Sequence, residues 1–201
     1  AAIQRELAAA RPDAFQPDLA VSLNNLSNHL NALGRQDEAL AAIEEAVAIQ
    51  RELAATRPDA FRPVLATSLN NLSIRLDALG RREKALVAIE EAVAIRRELT
   101  AARPDAFLPD LATSFGARGR VLRGLERHGD AATSFADGLV AISALFLALP
   151  QAAEALAQGL VRDYFQSCED AGVEPDKEML APINAKLVEI GAMEAPEDGD
   201  T

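Results

Sequence analysis

The sequence predicts an all-α protein: a right-handed α-solenoid of antiparallel helix pairs, closed by a C-terminal helical cap. Two observations carry this expectation. The first is a 46-residue unit that recurs in register: AIQREL at 2–7 returns at 48–53 and as AIRREL from Ala94, and RPDAF at 11–15 returns at 57–61 and from Arg103. Residues 2–47 and 48–93 match at 35 of 46 places without a gap, which marks a tandem array rather than a chance likeness of helical stretches. The second is a composition of Ala/Leu-rich helices, 49% apolar but only 4% aromatic, with no Trp and one Tyr. Each unit has an apolar face that it cannot bury alone and covers with its neighbour, so the array reads as a surface for holding something.

The elements follow in chain order. Residues 1–7 align with 47–53, the end of a second helix, and have no first helix before them. Residues 1–10 therefore read as the end of a truncated preceding repeat, its apolar edge left for the missing repeats or for self-association with another copy. In the middle unit Pro63 stands where a helix can begin, and Leu65, Leu69, Leu72, Leu76 and Leu79 recur at three and four until Gly80. After a short turn, Ala85, Leu86, Ile89, Val93 and Leu99 carry a second stripe to about Ala102, where Arg103-Pro104 stops it. Helices joined by so short a turn lie antiparallel. The proline and aspartate of RPDAF are expected to make the turn between units, with Phe61 or Phe107 plugging the seam.

The third unit follows the second through Ser114 and then decays. Phe115, Leu122, Leu125, Ala131, Phe135 and Gly138 keep the size pattern, but Arg118 replaces a leucine and Glu126 the glycine, as a last repeat with a polar outer face requires. Repeats thus occupy 11–149. Pro150 opens a helix to about Asp170, and a further helical stretch, with Pro182 as a candidate break, runs to about Met193, so 150–193 read as capping helices. The tail 194–201, EAPEDGDT, is too polar to pack and reads as acidic and disordered.

Charge and composition narrow the partners. Residues 1–149 carry a net −2 and residues 150–201 a net −9 of the total −11, which makes nucleic acid an unexpected partner. No apolar run approaches the ~18 residues of a membrane span, and no signal-peptide core opens the chain, so no membrane partner is expected. The single cysteine, Cys168, cannot form an internal disulfide and fits a reducing, cytoplasmic setting.

Leu69, Leu72, Ser73, Leu76 and Gly80, then Ala85, Ile89 and Ala92, resemble the tetratricopeptide repeat (TPR) family, and Leu23, Leu26, Ser27, Leu30, Gly34, Ala39, Ile43 and Ala46 repeat the series. The unit is longer than the family's usual ~34 residues and carries Leu for the aromatics, which is similar to extended, kinesin-light-chain-like bacterial TPRs with their SLNNL motif. HEAT and armadillo repeats share the longer period but do not call for this Leu/Ser/Gly then Ala/Ile/Ala series.

The resemblance implies that first helices line a concave groove that binds a protein or peptide segment. Its inward positions are then Val21, Asn24, Asn25, Asn28 and Asn31, followed by Thr67, Asn70, Asn71, Ile74 and Asp77, and in the third unit by Arg120 and Arg123. A side-chain amide donates and accepts at once, so an Asn row suits a peptide backbone of any sequence. The alternative is that these amides bond to neighbouring helices or loops. From Val21 onward along the first helix the two copies differ at Val21/Thr67, Asn28/Ile74, His29/Arg75 and Asn31/Asp77, three of the four at groove positions. Arg120, Arg123 and Arg127 share a helix face, where a guanidinium fork suits an anionic group on a partner or, alternatively, a carboxylate of the acidic C-terminal segment.

No catalytic constellation accompanies these residues. His29 and His128 lack metal-ligand spacing, and Gly116, Gly119 and Gly124 lack the ending of a phosphate loop, so neither metal nor nucleotide cofactor is expected. Acidic neighbours in YFQSCED are expected to raise the Cys168 thiol pKa rather than activate it. Two classes of function follow. One is a non-enzymatic recognition module or scaffold, the C-terminal sensor part of a larger protein, since bacterial arrays that this one resembles often follow NTPase or protease-like domains. The other is an architectural spacer or self-association arm with nothing bound in the groove.

Overall fold

The computed structural model describes residues 2–192. Among these the chain forms nine α-helices and no strand, and it divides into two compact units, 1–103 and 104–201.

The first unit contains α1 (Ala2–Ala10), α2 (Pro12–Ala32), α3 (Gln36–Thr56), α4 (Pro58–Ala78) and α5 (Arg82–Ala102). Two 21-residue helices, a three-residue turn within the pair and the single residue Arg57 between pairs account for the 46-residue period. Successive helices pack on one another, and α2 also meets α4. The stripes read from the sequence are the core: Leu23, Leu30, Ala39, Ile43 and Ala46 are buried, and so are their counterparts Leu69, Leu76, Ala85, Ile89 and Ala92. The α1 helix lies against α2 in the manner of a second helix. Its Arg5 donates to Glu45 at 2.9 and 2.6 Å, and Arg51 makes the same pair with Glu91 one period later. Ile3 and Leu7 of α1 are exposed.

The turn chemistry differs from expectation. Pro12, Pro58 and Pro104 are the first residues of their helices, with Asp13, Asp59 and Asp105 in the first turn, so RPDAF is a helix start rather than a turn. A proline there forfeits no hydrogen bond, and a carboxylate there faces the positive end of the helix dipole. Pro63 consequently lies inside α4, as Pro17 does in α2 and Pro109 in α6, each as the sixth residue. The one backbone bond that each of these prolines omits is outweighed by buried Leu and Ala packing farther along.

The second unit contains α6 (Pro104–Gly124), α7 (His128–Ala148), α8 (Pro150–Ala171) and α9 (Lys177–Glu189). The α7 helix packs on the other three and buries Phe135, Leu139, Ile142 and Phe146. By length and composition α7 is apolar enough to cross a membrane, a property that unbroken apolar runs did not reveal because Asp130 and Asp137 interrupt them. Here much of its apolar surface is covered by packing within the unit. The α9 helix starts at the N-cap Asp176, whose carboxylate accepts from Met179 N at 3.0 Å, and it runs unbroken through Pro182, the candidate break. Met193 and the acidic tail 194–201 lie outside the described residues.

Candidate functional site

The sequence-assigned groove positions lie on α2 and α4 of the first unit and on α6 of the second. On α2 and α4 they sort into two classes. Asn24 is half-buried, and its Oδ1 accepts from Asn71 Nδ2 at 3.0 Å and from Ser68 Oγ at 3.3 Å, which ties the two helices together. Asn70 is buried, with its backbone carbonyl accepting from Ser73 Oγ at 2.9 Å. The Asn24 and Asn71 amides serve the helix seam, the alternative use that the sequence left open. Asn25 and Asn28 are exposed and Asn31 is half-buried. Asn28 turns its Oδ1 to Arg75 Nη2 at 2.8 Å, and since a guanidinium only donates, the Asn28 amino group is the edge left for another acceptor.

In the second copy Thr67 and Ile74 are exposed and Asp77 is half-buried. The Thr67 hydroxyl donates to the Pro63 carbonyl at 3.2 Å and accepts from Arg96 Nη2 at 3.4 Å. Asp77 pairs with Arg82 at 3.4 Å across the turn. Ile74 replaces the amide of Asn28 by an aliphatic side chain, so the second copy is less polar at that one place.

Arg75 is the residue that sequence reasoning passed over. It is 8% exposed and bonds to two neutral acceptors, Asn28 Oδ1 and Ser27 Oγ, the latter at 3.4 Å. No carboxylate pairs with it among the described residues, and burial alone pulls its pKa below the usual guanidinium range. The His29/Arg75 difference between copies was the available signal. It fell beside the assigned groove positions rather than on them.

On α6 the two arginines meet an acid from the C-terminal segment. Asp163 of α8, its side chain 8% exposed, lies 3.5 Å from Arg120 Nη1 and 3.7 Å from Arg123 Nη1, with Arg162 Nε at 3.5 Å. This is the internal pairing that the acidity of 150–201 allowed. Arg127, on the same face by sequence, pairs instead with Asp130 at 2.6 Å.

His128 Nδ1 lies 3.7 Å from Asp170 Oδ2. Cys168 is buried, and burial rather than its acidic neighbours pushes the thiol pKa up. Among the described residues no three His, Cys, Asp or Glu side chains converge as metal ligands would.

With this geometry in hand, residues 18–98 match the tetratricopeptide repeat family. Among solved structures, the chain is similar to two crystal structures of a Podosopora anserina protein described as a kinesin light chain with nearly identical TPR-like repeats. The first gives a TM-score of 0.62 at 19% identity, and a variant of the same protein gives 0.65 at 18%. In both, 94% of this chain and 86% of that chain are covered, and at such identity the likeness is one of fold. No curated protein matches the sequence.

Proposed function

We propose, from the match of residues 18–98 to the tetratricopeptide repeat family, that the chain holds a peptide or protein segment along the exposed faces of α2 and α4. Repeats of this family mediate protein–protein interaction. The observation that carries the placement is the division among the amides: Asn24 and Asn71 bind the helices to each other, while Asn25, Asn31 and the amino group of Asn28 keep free edges on the same face. Such edges pair with backbone N–H and C=O groups whatever side chains the segment carries. A partner with an anionic group is favoured at the same face by Arg75, whose charge is met only by neutral oxygens, rather than by Arg120 and Arg123, which already face Asp163. We read the module as a scaffold without catalytic chemistry, and the buried, unpaired Cys168 supports a reducing, cytoplasmic setting.

A second reading, an architectural arm that binds nothing along this face, is favoured by the Asn24–Asn71–Ser68 seam and by the exposed Ile3 and Leu7 available for self-association. The two readings separate by calorimetry on a partner captured from lysate. The Asn25→Ala/Asn31→Ala variant should weaken binding about tenfold or more, two lost hydrogen bonds at ~0.5–1.5 kcal/mol each, with helicity and melting unchanged. Glu90→Lys, an exposed change on α5, serves as control. Binding lost in the control and kept in the amide variant would favour the architectural arm.

A further inference from the structure

Gln16 of α2 and Glu52 of α3 occupy a pair of places that the later copies keep chemically matched. One period on, Arg62 of α4 donates to Glu98 of α5 at 2.5 Å. In the third unit both places are apolar, Leu108 and Ala144. The first copy alone keeps the acid and lacks its cation: Gln16 carries no charge, and Glu52 has no ion pair among the described residues. Asp18 stands where the second copy has Val64, so with Gln16 for Arg62 this region is two charges more negative than its counterpart.

A cleft of about 360 Å³ lies at this place, lined by Asp13 and Gln16 near the start of α2, by Glu52, Leu53 and Thr56 toward the end of α3, and by Arg57 between α3 and α4. Ligand clefts begin at ~300 Å³, so a whole side chain fits. Leu53 is buried and gives the cleft an apolar wall, which it shares with a neighbouring hollow where Asp18 stands. Two of the polar groups are already engaged. The Thr56 hydroxyl donates to the Leu53 carbonyl at 3.0 Å, and the Arg57 guanidinium lies over the ring of Phe61, 4.7 Å from its centre. Asp13 faces the positive start of its own helix, whereas Glu52, about one turn from the end of α3, has no such compensation. Glu52 is therefore the carboxylate that calls for a cation.

We propose that this cleft receives an arginine side chain of a bound protein segment, its guanidinium paired with Glu52 as Arg62 is with Glu98 one period later. The planar fork of a guanidinium matches a carboxylate, and the aliphatic stem covers Leu53. Asp13 and Asp18 add attraction for a cation and disfavour an anion. The proposal rests on the reading of the chain as a segment-binding module. It adds a cationic anchor toward the opposite end of α2 from Asn28, separate from the amide face.

The experiment needs no natural partner. Nα-acetylarginine N-methylamide is titrated into the ¹⁵N-labelled full chain at low ionic strength while the backbone amide resonances of Gln16, Glu52, Leu53 and Thr56 are followed. The expected result is a saturable shift at these residues that weakens as salt rises past ~0.1 M. The corresponding lysine probe should bind several-fold more weakly, and the citrulline probe, which keeps the shape without the charge, should not bind. Gln16→Arg, a residue that the second copy already carries at this place, supplies the guanidinium from within the chain and should abolish the shift. Glu52→Gln should abolish it by removing the acceptor's charge. The Asn25→Ala/Asn31→Ala variant should bind the probe as the unaltered chain does, so failure of the cleft and failure of the amide face are told apart. The absence of a saturable shift, a lysine or citrulline probe that binds as tightly as the arginine probe, or a shift that survives in either Gln16→Arg or Glu52→Gln would each overturn the proposal.

Discussion

A Cβ placed on Gly119 of α6 would lie 2.6 Å from the ring of Phe135 on α7. Phe135 is fully buried and has no room to withdraw, so the glycine sets how closely these two helices approach. Gly119→Ala is expected to destabilise the chain by ~1–3 kcal/mol, overpacking outweighing the ~1 kcal/mol that alanine gains in a helix. Gly159 of α8 has nothing within 4 Å of the same construction. Gly159→Ala should therefore stabilise by ~0.5–1 kcal/mol. Denaturation midpoints shifting in the same direction for both variants would refute the packing account.

Glu126 occupies a place built for glycine. After each first helix the same bond closes the end, from Arg35 N to Leu30 O at 2.9 Å, from Arg81 N to Leu76 O at 2.8 Å and from Arg127 N to Leu122 O at 3.0 Å. Gly34 and Gly80 take φ of 73° and 71° to make it, and Glu126 is held at 60°. A side chain in that region costs ~1 kcal/mol or more, so Glu126→Gly should raise stability by about 1 kcal/mol. Gly80→Ala should lower it by a similar amount, because open space surrounds Gly80 and only the backbone penalty remains. Thermal midpoints of the two variants check both signs.

The Asn24–Asn71 bond makes the seam measurable apart from recognition. A double-mutant cycle with Asn24→Ala and Asn71→Ala is expected to show a coupling of ~0.5–1.5 kcal/mol in urea denaturation, since either single change leaves a half-buried amide short of its partner. Asn25→Ala should change stability by less than ~0.5 kcal/mol, as exposed sites do. A cycle that closes to zero would return Asn24 and Asn71 to the free amides of the binding face.

Gln50→Met is expected to stabilise the free chain by ~1–3 kcal/mol, because it removes a desolvated carboxamide while keeping the length of the side chain. A melting midpoint lower than that of the unaltered chain would show that the Gln50 amide is satisfied in solution.

The helix pairs were legible because their signal is redundant: Leu69, Leu76, Ala85 and Ile89 state the same period that Leu23, Leu30, Ala39 and Ile43 do. The helix starts were less so. Proline reads as a stop or a start from local sequence alone, and nothing local says that Pro63 is the sixth residue of its helix and Pro58 the first. At the candidate site, residue type could not separate Asn25 from Asn24, since exposure depends on how α2 sits against α4. The burial of Gln50 was invisible for a related reason: Gln4 and Gln50 stand in the same hexapeptide, and only the packing of α2, α3 and α4 makes one of them a buried orphan.

The last prediction concerns Asp163, which meets Arg120, Arg123 and Arg162 with a carboxylate that is itself nearly inaccessible. Its partners are a third to three-quarters exposed, so solvent screens much of the attraction and the contacts contribute on the order of 1 kcal/mol together. Asp163→Asn keeps the shape and removes the charge. It should lower stability by about that amount at low salt, and the difference should shrink as ionic strength rises past ~0.1 M, where the screening length falls to ~10 Å. The same variant frees two guanidiniums on α6, so if Asp163 holds them back from an anionic partner, it should bind an acidic peptide more tightly than the unaltered chain does. Arg120→Glu should abolish that gain. Equal stability at both salt concentrations would show that the pairing contributes nothing to the fold, and unchanged peptide affinity would confine Arg120 and Arg123 to holding α8 in place.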